Sequence, residues 1–218
     1  MQLAALALVI AFASYASQLS DGTTASGLKE ALRVATERAV QHTSKPGGFL
    51  DDPRIRIPLP GRLDGMATAL RAVGMGAQVD ELDVAMNRAA ESAAGEATPV
   101  FVDAIQGMSF SDAAGILRGS DTAATSYFKK KTTAPLTAKF RPIVDAAMRN
   151  VGVTKQYEAL VGQYATTPFA SVPKLDLTGY VTEQALAGLF KIVADEERSI
   201  RKDPAARTTS LLQQVFAH

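Results

Sequence analysis

Cysteine and tryptophan are both absent from the sequence, and histidine occurs only twice. Without cysteine there is no disulfide, no thiolate nucleophile and no thiolate metal site. His42 stands amid polar residues near the end of a helical pattern, and His218 is the last residue. Neither has the held position that a metal site or a Ser-His-Asp arrangement needs. An excess of one charge is missing too: 23 Lys and Arg face 22 Asp and Glu, for a net charge of +1. That balance excludes the basic face of a typical nucleic-acid binder, so no nucleic-acid partner is expected. Aromatics make up only 6% of the chain, too few for base-stacking platforms. These absences leave no catalytic residue, no metal ligand and no cofactor to name.

What remains is a chain of 218 residues, 47% hydrophobic and rich in alanine, with short β-branched runs. The length allows a sizeable core, and the composition favours closely packed helices. Leu28, Leu32, Ala35 and Ala39 recur at helical spacing. Further apolar stripes run from about Arg62 to Val73, from near Gln78 through Ala93, and from Pro99, which suits a first helical turn, to Met108. Ser109 and Asp112 spell a capping box before a short helix that ends at Gly119 as a left-handed cap, and Asp121 is placed to cap the helix after it. Pro135 reads as the start of a further helix to Gly152, with Pro142 inside it. Thr154 opens another, and Thr178 to Arg201 reads as the longest. Asp203-Pro204 starts a closing helix that carries Leu211, Leu212, Val215 and Phe216. No composition break or internal repeat divides the chain. The expectation is all-α: a single compact bundle of about eight or nine helices, over residues 17–218.

Two proline-punctuated apolar segments interrupt the helices. In "KPGGFLDDPRIRIPLP", Lys45 to Pro60, the prolines forbid helix. An extended chain there points Ile55, Ile57 and Leu59 to one side and Arg54, Arg56 and Pro58 to the other. "TTPFASVPKLDL", Thr166 to Leu177, has a similar apolar period. Both read as extended straps over the core. The hypothesis is that they lie together, a short two-stranded ribbon being one form of that pairing. The functional variant makes the straps the walls of a groove for an apolar ligand or peptide.

At the N-terminus, Leu3 to Ser17 is uncharged and apolar, and Ser14-Tyr15-Ala16 fits the small-x-small rule for cleavage after Ala16. At about 14 residues the run is shorter than the roughly 20 that cross a bilayer as helix. Met1-Gln2 lacks the usual basic start, which keeps alternatives open. Residues 1–16 are therefore expected to be a signal peptide or an N-terminal hydrophobic anchor, with a buried apolar helix as the third reading.

Polar candidates are few. Asp80, Val84, Asn87 and Glu91 share one flank of the third helix, adjacent to its apolar stripe, with Arg88 on the far side from that stripe. The flank reads as solvated, or as a ladder reaching into an interface through Asn87 and Glu91. "GSDTAAT", Gly119 to Thr125, offers helix-capping hydroxyls, or an anion site at a helix start, without the glycines and lysine of a phosphate loop. Asp195-Glu196-Glu197 reads as a solvated run, with divalent cation binding as the alternative. Lys129-Lys130-Lys131 reads as a solvated face or a contact for anionic headgroups. The residues singled out for ligand or partner contact are Asn87, Arg88, Glu91, Ser120, Asp121 and Thr125, together with Ile55, Ile57 and Leu59 of the first strap.

Six segments also occur in a telling order: "KPGGFL", "IRIPLP", "MNRAAE" (Met86 to Glu91), "GSDTAAT", "PLTAKFRPIV" (Pro135 to Val144) and "YVTEQALAGLF" (Tyr180 to Phe190). Together they resemble the bacterial domain-of-unknown-function family 4197 over roughly Gly27 to Phe216. The resemblance implies an exported helical protein of the Gram-negative envelope and no assigned activity, so no catalytic residue carries over. Some relatives bear a lipoprotein cysteine that this chain lacks. The leading expectation is a non-enzymatic periplasmic protein that binds an apolar small molecule or a protein partner. The alternative is an auxiliary subunit of a membrane-associated complex, held by an uncleaved N-terminal helix, with residues 1–16 as the membrane contact. A hydrolase using carboxylates such as Glu91 and Asp103 is the third class.

Overall fold

The structure, a computed structural model, describes residues 21–150, 153–166 and 175–207, with 210 and 213. The expectations for residues 1–16 and for the apolar face of the closing helix lie outside the described residues. The elements are α1 (Asp21–Ser44), a 3-10 turn (Gly61–Leu63), α2 (Asp64–Ala72), α3 (Gly76–Ala94), α4 (Ala97–Gln106), α5 (Phe110–Leu117), α6 (Ala123–Asn150), α7 (Val153–Ala165), α8 (Leu177–Lys202) and a second 3-10 turn (Pro204–Ala206). The fold is all-helical, with no strand among the described residues.

Helix α8 lies at the centre, packed against α1, α3 and α6. Its Val181, Ala185, Leu189 and Val193 recur every four residues on the buried side. Helix α3 approaches α6 and α8 with a buried row of small residues, Ala85, Ala89, Ala90, Ala93 and Ala94. Small side chains let helix axes come close, which the alanine-rich composition makes affordable at little entropic cost. The larger volumes are filled by aromatics: Phe101 meets Phe128 edge-on at 5.4 Å and Phe190 at 6.2 Å between ring centroids.

One expectation fails on α6. Pro135 does not start a helix; α6 runs unbroken from Ala123 to Asn150 with Pro135 and Pro142 both inside. Each proline removes one i→i−4 bond and costs about 3 kcal/mol in a helix interior. The apolar stripe spans both prolines: Phe128, Leu136, Phe140, Val144 and Met148 are buried at four- and eight-residue spacings. Burying each such side chain contributes about 1.5–3 kcal/mol, so the stripe outweighs the breaks. Helix α6 is also longer than α8, 28 residues against 26, contrary to the reading of α8 as the longest.

The first strap departs from a simple extended ribbon. Gly47 sits at φ +83, and a Cβ on Gly48 would lie 2.6 Å from the Thr43 carbonyl oxygen. The glycine pair therefore folds the chain tightly against the end of α1. Turns continue through Asp52, whose carbonyl accepts from Ile55 N (3.1 Å) and Arg56 N (2.8 Å). Only after Arg56 does the chain extend, with Pro60 at φ −57 and ψ 132. The expected alternation holds: Ile55 and Ile57 are buried and Leu59 half-buried, while Arg54, Arg56 and Pro58 are exposed. Phe49 is fully buried as well. The middle of the second strap, residues 167–174, lies outside the described residues, and with it the ribbon.

Candidate functional site

The strap brings the sequence-derived candidates on α3 to a common task. Asn87 is completely buried. Its Oδ1 accepts from Ile57 N at 2.8 Å, and its Nδ2 donates to Ile57 O at 2.9 Å and to Asp83 O at 2.9 Å. The side-chain amide thus pairs with both polar groups of one strap residue, as a neighbouring strand would. One turn on, Glu91 is 5% exposed, and its Oε1 accepts from Phe49 N and Leu50 N, both at 3.2 Å. Arg88 donates to the other oxygen at 2.7 Å while remaining half-exposed. The solvated-flank reading is therefore wrong for Asn87 and Glu91: strap backbone buried without a strand partner needs acceptors and donors from elsewhere. Asp80 and Val84, on the same flank, are exposed.

The outer side of the strap is held by charge. Asp52 receives Arg54 Nε (3.0 Å) and Nη2 (2.7 Å), and its Oδ2 lies 2.8 Å from His42 Nε2. Arg54 reaches on to Asp195 of α8 at 3.0 Å, Arg56 pairs with Asp83, and Tyr180 donates to Pro58 O at 3.0 Å. The Arg54 guanidinium beside Asp52 holds that carboxyl well below the usual carboxylate range. Gly188 of α8 completes the seat: a Cβ there would stand 2.6 Å from Phe49 Cε1 and 3.2 Å from Ile55 Cβ. Ile55 and Ile57 are thus part of the core rather than the wall of an open groove.

The second group gathers at the start of α6. Glu197 of α8 is 4% exposed. One of its oxygens accepts from Ala124 N (2.9 Å), the other from Thr125 N (2.8 Å) and Thr125 Oγ1 (2.8 Å). Arg201 donates to the first oxygen at 3.1 Å and to Ile116 O at 2.9 Å. The free N–H groups and positive dipole of the α6 start are therefore occupied by a carboxylate of the protein itself. Two expectations are corrected. Asp121 does not cap α6; exposed, it pairs instead with Lys202 at 2.5 Å, which lowers its pKa. The run Asp195-Glu196-Glu197 is not a uniformly solvated face, because Glu197 points inward while Asp195 and Glu196 pair with arginines. Thr125 is buried in this cap, whereas Ser120 is exposed.

The structure thus brings Asn87, Arg88, Glu91, Ile55 and Ile57 together, and separately joins Thr125 to Glu197. Glu197 carries no sequence mark that sets it apart from its two acidic neighbours. The start of α5 is as read: Ser109 Oγ accepts from Asp112 N at 3.1 Å, and Asp112 accepts from Ser109 N at 3.0 Å. Its end is not: the helix stops at Leu117 with Arg118 in right-handed geometry at φ −83 and ψ −7, and Gly119 is not a left-handed cap. The residue this capping box holds first in the helix is Phe110, 68% exposed. Beside it a groove of about 340 Å³ opens between α1 and α5, lined by Ala25, Phe110, Ala113, Ala114, Leu117 and Arg118. Sequence reading missed it, although a phenylalanine directly after a helix cap was visible. A second, open depression of about 510 Å³ is polar, with Arg141 and Asp176 paired at 2.7 Å across it.

These features describe an all-helical protein whose buried polar groups fasten its own segments and which leaves the Phe110 ring exposed beside a groove between α1 and α5. The chain belongs to the family described as "Protein of unknown function (DUF4197)", which it matches over residues 18–217. No curated protein and no solved structure matches it.

Proposed function

We propose that this is a non-enzymatic, periplasmic protein of the cell envelope that acts by holding an apolar small molecule or a protein partner against the groove between α1 and α5. The observation that carries the reading is the exposed Phe110 ring at the edge of that groove. The ring stands at a concave surface that Ala113, Ala114 and Leu117 line together with Ser111 and Arg118, the mix of apolar walls and a few polar groups found in contact sites. The buried carboxylates Glu91 and Glu197 are each taken up by backbone N–H groups and an arginine, which leaves neither free to move a proton for a substrate. The envelope location rests on the apolar run Leu3 to Ser17 and its small-x-small end.

A second reading, an auxiliary subunit of a membrane-associated complex held by an uncleaved N-terminal segment, is favoured by the position of Ala25. This residue lines the groove and lies four residues after the start of α1 at Asp21.

Native mass spectrometry on protein isolated from its own envelope tests both. A chain starting after Ala16 with an added small-molecule mass supports the carrier. Met1 retained together with other chains supports the subunit. Recovery from the cytosol, with nothing bound, refutes both.

A further inference from the structure

The groove beside Phe110 has charged surroundings as well as an apolar floor. Lys29 stands one helical turn after Ala25 on α1, and its Nζ donates to Gln106 O, at the end of α4, at 3.3 Å. Arg118 closes α5 and lines the groove. Helix α6, which packs on α5, carries Lys130 and Lys131, with Lys131 Nζ 5.8 Å from the Tyr127 ring centroid; the Ser109 hydrogen bonds chiefly, and these two lysines in lesser part, lower the pKa of Asp112. Four cations thus stand near one exposed phenylalanine, with Asp112 already committed to its capping box. Arg118 and Lys130 hold no ion pair among the described residues, whereas Arg33, Arg54, Arg56 and Arg71 all do.

The chain enters the fold at the same place. The uncharged run Leu3 to Ser17 leads into α1 at Asp21, about one helical turn before Ala25.

We propose that the α1–α5 face seats on an anionic lipid bilayer, with Phe110 entering the headgroup boundary and Lys29, Arg118, Lys130 and Lys131 meeting the lipid phosphates. The inference rests on reading the groove as a contact surface and names what it contacts. One aromatic ring with cations around it is the pattern of interfacial attachment. A stable protein interface instead needs a broad apolar centre of hundreds of square ångströms.

The lack of tryptophan makes the test direct, because Phe110→Trp introduces the only indole in the chain. The full chain, with its N-terminus as the cell leaves it, is mixed with vesicles of phosphatidylglycerol and phosphatidylcholine, or of phosphatidylcholine alone. The expected result is a blue shift of the emission, with quenching by brominated acyl chains, on the anionic vesicles only and fading as salt is raised. Val73→Trp is the control, since Val73 is 69% exposed at the end of α2, which packs on α3 and α7 rather than beside α5. Its emission stays unchanged. Reversing two cations with Lys130→Glu and Lys131→Glu weakens partition of the Phe110→Trp protein by at least about 25-fold, from about fivefold for each of two lost cations and more from the two new carboxylates.

An emission from position 110 that ignores anionic vesicles overturns the proposal, as does an equal shift at position 73. If position 110 ignores vesicles but responds to a protein recovered from the envelope, the lipid assignment falls and the contact reading stands. If it responds to neither, and native mass spectrometry finds nothing bound, both fall.

Discussion

Replacing Glu197 by alanine isolates the interaction that closes the bundle between α6 and α8. The substitution leaves Ala124 N, Thr125 N and Thr125 Oγ1 without their acceptors, which now stand at 2.8–2.9 Å. A buried donor left unmade costs about 1–3 kcal/mol, and the carboxylate's interaction with the helix dipole adds up to about 2 kcal/mol in a partly buried setting. Arg201, 12% exposed in its side chain, loses the Glu197 carboxylate but keeps Ile116 O. These effects share one site and do not add fully. The expected loss is about 3–5 kcal/mol, the range for removing one member of a buried pair. For a chain of this size that lowers Tm by roughly 6–20 °C. Glu196→Ala is the matched control from the same acidic run. Its pair with Arg38, 3.6 Å apart and about 30% exposed on both sides, is worth under about 1 kcal/mol. Urea unfolding followed by far-UV circular dichroism separates the two variants. Equal, small losses for both would refute the tertiary cap.

Other outcomes follow from the strap and its seat. Asn87→Ala strands both polar groups of Ile57 and is expected to cost about 3 kcal/mol, with faster amide hydrogen exchange at Ile57; unchanged exchange there would contradict the pairing. Gly188→Ala is expected to destabilise by about 1–3 kcal/mol, because Phe49 and Ile55 must give way, measured by thermal unfolding. Gly115→Ala, in a helix with nothing within 4 Å of the new carbon, is expected to stabilise by up to about 1 kcal/mol in the same assay. For acid stability, the Asp52 pKa is lowered in the folded state, chiefly by Arg54. Its contribution is therefore present above the ordinary carboxylate range and is lost as pH falls from about 4 downward. Asp52→Asn is expected to lower stability at neutral pH and to flatten the acid side of the stability curve. An unchanged acid limb would count against the Asp52–Arg54 pair.

Much of the fold was legible before any coordinates. The capping box at Ser109 and Asp112 uses residues three apart, so local spacing specifies it. The alternation of Ile55 and Ile57 with Arg54 and Arg56 marked which side chains are buried, although the chain turns as far as Arg56 and extends only beyond it. Alanine abundance and apolar stripes at helical spacing define an all-helical fold. Family membership was also readable, since it rests on ordered sequence segments.

Tertiary structure decided what depends on partners distant in sequence. Asp195, Glu196 and Glu197 are chemically alike, and only the approach of the α6 start makes Glu197 a buried cap. Asn87 and Glu91 looked like a solvated flank because the strap that covers them lies 30 to 42 residues away. Pro135 is a reliable local helix breaker, overruled by an apolar stripe whose value appears only when α3 and α8 bury it. The groove at Phe110 likewise exists only because α1 and α5 meet. Local rules act through a few neighbouring residues, whereas burial is set by whichever segments pack together. The sequence by itself therefore determined the helices and their faces, and tertiary structure decided which polar groups lie inside and which apolar ring stays out.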